Sequence, residues 1–185
     1  MVYKTEDVMY GYKAVYVCKK DKPGNSYQLL KIPECINVIC AVIKIEIPKG
    51  TTIVDPWGQK NNDDSGFHKL RCEGAKFIEV MKYCYIHITE KIDESELKFT
   101  NTINLQLIEI SEKEVIDYNK SKDIEYCSMY TYGNSLLIDA NTIKPNDFMV
   151  ADPYLNTNDD IVCASGIHFF KTEKEVYNYL LRLHS

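Results

Sequence analysis

Cys163, Gly166 and His168 fall within six residues of one another, in "CASGIHFF". A thiol and an imidazole form a nucleophile–base pair when the side chains touch and a third group orients the ring. The imidazole is also the side chain whose ordinary pKa lies near neutrality, which suits it to acid–base work. His168 and Cys163 are therefore the catalytic candidates. A glycine between them permits contact without imposing it. A second reading gives His168 a holding role. Gly166 marks a tight turn or a close backbone approach, and an imidazole bonded to a backbone group would lock that turn to a sheet. On a strand through 166–170, Ile167 and Phe169 face one way and His168 and Phe170 the other. We favour the holding role, because no nearby residue completes a nucleophile–base–orienter set.

Other residues also have side chains suited to chemistry. Trp57, in "DPWG", either caps a core edge or stacks on a ligand. Two loops rich in Asn and Asp, around 61–64 and 156–160, carry oxygen ligands but lack the spacing, the central Gly and the distant Glu of a calcium loop. They read as solvated turns. His68 and His87 have no metal-pair spacing, and His184 sits in a terminal tail. Seven cysteines are present with no Cys-x-x-Cys pair, so zinc has no support. No glycine loop cradles a phosphate. The chain is expected to use neither metal nor cofactor.

Several cysteines lie in apolar runs such as "NVICAVI", where a reduced thiol acts as a small hydrophobe. That pattern, with no leader and no apolar run near the roughly 20 residues that span a bilayer, predicts a protein of a reducing intracellular compartment. A net charge of −5 with no basic run argues against nucleic acid as partner.

These residues need a scaffold. "VMYGYKAVYVC" reads as a strand, and "VIKIEIP" alternates Ile with Lys and Glu as a strand with one wet face should. Strands are expected near 10–18, 38–47, 75–88 and 164–170, with a shorter run at 29–32 and a short β-like start to "TTIVDPWG". "INLQLIEI" alternates as a strand, and Ser111 with Glu114 marks a helix start. Thr172 and Glu175 form a second capping box. Val176, Tyr179, Leu180 and Leu183 follow at helical spacing, which predicts an amphipathic helix over 173–183. The fold class is α+β: a mainly antiparallel, twisted sheet with the C-terminal helix packed on it. The 185 residues form one domain, with an inserted or extended middle at 90–123.

"CASGIHFFKTEKEVYNYL" resembles the closing motif of an uncharacterised domain family of giant viruses, phages and some microbial proteins. "VIKIEIPKG", "KLRCEGAKFIEV" and "YTYGNSLLIDANTIKPNDF" fit further segments of that family. The resemblance implies a viral or phage accessory protein, of compact fold, at work in the host cytoplasm. It implies no established activity. Read with the missing catalytic set, it suggests a non-enzymatic module that binds a small ligand or a host protein. Tyr12, Lys13, Trp57 and His168 are the ligand-binding candidates. "SGIHFFKTEKEVYNY" also resembles the strand and helix of ADP-ribosyltransferase-type NAD pockets, with "YGYKAVY" as the early strand. Here Lys13 stands where that family has Arg or His, and no later strand remains to deliver its Glu. This second resemblance implies a small nucleotide-processing enzyme, with a pocket around Cys163, His168, Tyr12 and Lys13. Ligand identity and oligomeric state are left open.

Overall fold

The computed structural model describes residues 1–20, 27–32, 37–56, 66–91, 102–120, 122–128, 142–151 and 154–183. Trp57, the Asn/Asp loop at 61–64 and His184 lie outside the described residues.

The alternating, β-branched runs form the strands. The larger sheet contains β2 (Met9–Lys20), β3 (Tyr27–Leu29), β4 (Cys40–Ile47), β7 (Gly74–Lys91), β8 (Thr102–Ile110), β9 (Glu125–Ser128) and β10 (Phe148–Val150). β4 lies between β2 and β7, β8 and β10 pair with β7, and β3 and β9 pair with β2. The smaller sheet runs β1 (Val2–Lys4), β5 (Thr52–Val54), β6 (Leu70–Cys72) and β11 (Ile167–Phe169), in that order. Every pairing is antiparallel. Among the described residues there are two helices, α1 (Glu112–Asn119) and α2 (Glu173–Leu183). The fold is α+β, as expected from sequence.

Period-two alternation separates two cores. On one side of the large sheet, Val15, Val17, Ile43, Ile45 and Ile47 join Ile53, Leu70, Ile167 and Phe169 of the small sheet. On the other side, Ala14, Tyr16, Val42 and Ile86, with the thiols of Cys18, Cys40, Cys84 and Cys127, meet Val176 and Leu180 of α2. Each fully buried Val, Leu, Ile or Phe contributes about 1.5–3 kcal/mol, so the two clusters supply the main driving force. β8 pairs with β7 from Tyr83↔Ile110 to Lys91↔Thr102, and Val115 of α1 lies in the first core. The described part of the middle segment is thus built into the same sheet and core.

Strand ends differ from the sequence expectation by one to three residues in β2, β4 and β7, and two short runs differ in extent. The strand expected near 164–170 is regular only over Ile167–Phe169. Gly166 has φ +147, a conformation that breaks the strand before it. The run expected at 29–32 pairs over Tyr27–Leu29 and continues only as an isolated bridge, Lys31↔Val38.

A backbone bridge ties the small sheet to the large one. Tyr12 and Phe170 exchange backbone hydrogen bonds, both 2.8 Å, which carries the small sheet onto the edge of β2. A Cβ on Gly11 would lie 2.6 Å from Phe169 Cδ2, so the glycine admits this close approach. Among the described residues, no helix is long and apolar enough to cross a membrane.

Candidate functional site

One edge of β2 changes partner along its length. It bridges Phe170 at Tyr12 and then pairs with β9 from Val15↔Ser128 onward. Lys13 and Ala14 fall between the two. A recess of about 30 Å³ opens there, lined by Lys13, Ala14, Ser128, His168 and Phe170. Lys69, just ahead of β6, and Tyr179 of α2 complete its wall.

Lys13 shares the inward face of β2 with Val15 and Val17, by strand alternation. It is only 8% exposed. Its Nζ donates to the His168 carbonyl at 3.2 Å. Burial first, and then the neighbouring Lys69 ammonium, lower its pKa to about 8. Lys69 lies with Nζ 5.1 Å from the centroid of the Tyr179 ring and 3.8 Å from the Cys163 thiol.

His168 is half-buried on β11, opposite Arg71 of β6. Its ring bonds the Ala164 carbonyl, and its buried Nε2 has no hydrogen-bond partner among the described residues. Burial, with Lys69, Lys13 and Arg71 nearby, pushes its pKa down to about 2. The ring is therefore neutral near pH 7, with its one N–H committed to the Ala164 carbonyl. It has no spare proton to give as a general acid.

Arg71 is fully buried and holds the loop that precedes β11. Nε donates to the Asn156 carbonyl at 2.9 Å, Nη1 to the Ile161 carbonyl at 2.6 Å, and Nη2 to the Asn158 carbonyl. Asn156 and Asn158 thus serve as carbonyl acceptors for a guanidinium. Their side-chain oxygens accept the backbone N–H groups of Asn158 and Asp160, as in Asx turns. Among the described residues, no group of three or more His, Cys, Asp or Glu could hold a metal.

Of the candidate residues, Lys13 and His168 meet at the recess. Tyr12 adjoins it through its backbone bridge to Phe170, and its side chain packs in the α2-side core. Cys163 is exposed and contacts Lys69, while the His168 ring bonds Ala164 instead. Lys69, Ser128 and Arg71 are not singled out by the sequence, and Tyr179 stands out there only as part of the helix's apolar face. Only "HKLRC" offers a trace of them, as two cations spaced to share one strand face. Compared with family models, curated proteins and solved structures, the chain matches none.

Proposed function

We propose that the protein is a non-enzymatic binding module whose contact point is the recess between β2, β6, β9, β11 and α2. It takes a small ligand, or a projecting group of a protein partner. The observation that carries this reading is the convergence of Lys13, Lys69 and His168 on one small recess. Two features of the site support binding over turnover. The imidazole is held neutral with its N–H engaged, and the thiol it would activate contacts another residue. A nucleotide-processing pocket draws less support, since the recess holds about 30 Å³, whereas small-molecule pockets run to several hundred. The likeness of the closing motif to a viral and phage family supports an accessory role in infection.

The test is a thermal-shift screen of small metabolites and nucleotides, because a ligand of the folded state raises apparent stability by mass action. Hits are then repeated on Lys69→Met. The reading expects shifts that shrink in that variant and ligands recovered unchanged after incubation. A hit converted to product by the wild type and not by His168→Ala would replace the binding module with an enzyme.

A further inference from the structure

Resting on the recess as the binding site, we infer that its ligand presents a carboxylate. Lys13 is the starting point. Its ammonium is buried, its hydrogen-bond partner is the neutral His168 carbonyl, and it enters no ion pair among the described residues. Among the described residues, the groups that face it are neutral or cationic: Lys69 and Cys72 from the β6 segment, His168 from β11, Ser128 from β9 and Tyr179 from α2. Arg71 adds a further buried cation nearby, satisfied by carbonyls. Removing an ammonium from water without a counter-charge costs several kcal/mol. Buried charges are kept where something pairs with them. The fold supplies no such group among the described residues, so an anion from outside the fold completes the site.

Size and donors select the anion. The recess is small, about 30 Å³, room for a few small atoms rather than for a whole metabolite. A planar carboxylate tip, with two oxygens to place, suits a recess of that size better than a tetrahedral phosphate with three terminal oxygens. Among the described residues, no run of backbone N–H groups at a helix start lines the recess, as a phosphate cradle would require. The cationic side chains at the recess are Lys13 and Lys69, with Ser128 in its wall. The carboxylate comes either from a free small acid or from an acidic side chain or chain end of a protein.

The experiment uses the full chain at pH 7 with sodium acetate, against sodium chloride and sodium phosphate at equal ionic strength, and with a short glutamate-bearing peptide. Acetate is expected to raise the melting temperature above the chloride and phosphate controls. Binding should be about tenfold weaker in Lys69→Met, in line with loss of one charged hydrogen bond. Lys13→Met should melt at or above wild type without ligand and lose the acetate response, because it removes an unneutralised buried charge. Calorimetry at pH 9 in buffers of different ionisation heat should show proton uptake on binding, as Lys13 regains its proton beside the anion. Acetate alone saturating the site identifies a free acid as the source. A much tighter peptide identifies a protein.

A phosphate shift equal to acetate's would overturn the carboxylate, and so would an acetate shift unchanged in Lys13→Met. Where Lys13→Met does not fold, an acetate response unaltered in Lys69→Met has the same force. If a screened ligand depends on Lys69 while acetate and peptide do nothing, the carboxylate falls and the binding module stands. If nothing depends on Lys69, both fall.

Discussion

Arg71 shows how one side chain can hold a loop that has no regular structure of its own. Its guanidinium satisfies three carbonyls between Asn156 and Ile161, and fixes the approach of the chain to Gly166 and β11. Gly166 is fitted against it: a Cβ there would lie 3.1 Å from Arg71 Cβ and 2.8 Å from Leu155 Cδ1. Arg71→Met leaves those carbonyls without their donor. It should cost about 3–5 kcal/mol in urea denaturation, the range for stranding buried polar partners. Arg71→Lys should recover little, since one ammonium cannot span three acceptors held by a planar fork. A loss below 1 kcal/mol for either variant would mean that the loop holds itself.

At the scale of the element, α2 is fastened by more than its apolar face. Glu175 closes the capping box, accepting from the Thr172 N–H at 2.9 Å and the Thr172 hydroxyl at 3.0 Å. Its other oxygen accepts the His68 N–H at 3.0 Å, tying the helix start to the strand region of the small sheet. Thr172→Ala should cost about 1 kcal/mol, as N-cap losses do. Glu175→Ala removes the cap partner and the tie together, so denaturation should show the larger loss. Equal losses would reduce the His68 contact to no energetic weight. The helix and its cap are readable in the sequence, because capping and helical spacing are local. So are the long strands, whose alternation survives in the side chains of β2 and β4. Gly166 is legible as a turn for the same reason. The recess is only half legible. Lys13 and His168 stand out by type, but Lys69 and Ser128 arrive through β6 pairing with β11 and β9 pairing with β2. Nothing local in "KLRCEG" or "EYCSMY" specifies those partners. Arg71 is the clearest omission: on a short strand it reads as a surface cation, and its burial depends on carbonyls more than 80 positions away.

For the molecule as a whole, the buried cations and the neutral histidine set the response to pH. The native pKa of His168 lies near 2, below its ordinary 6.5. The unfolded chain therefore binds the extra proton between those values, and stability falls as pH drops below 6.5. The slope from this one group is about 1.4 kcal/mol per pH unit. Lys13, lowered from 10.5 to about 8, acts in the same sense in alkali: stability rises as pH climbs from 8 toward 10.5. Urea midpoints should decline from pH 6.5 to 4.5, and the decline should flatten in His168→Gln. An unchanged slope in that variant would assign the acid sensitivity to other groups. The thiols beneath α2 have a use of their own. Cys18, Cys40, Cys84 and Cys127 are shielded on the face that carries the helix, whereas Cys163 stands in solvent. Alkylation of the shielded four thus works as a clock for lifting of the C-terminal lid, with Cys163 as the built-in zero-time standard.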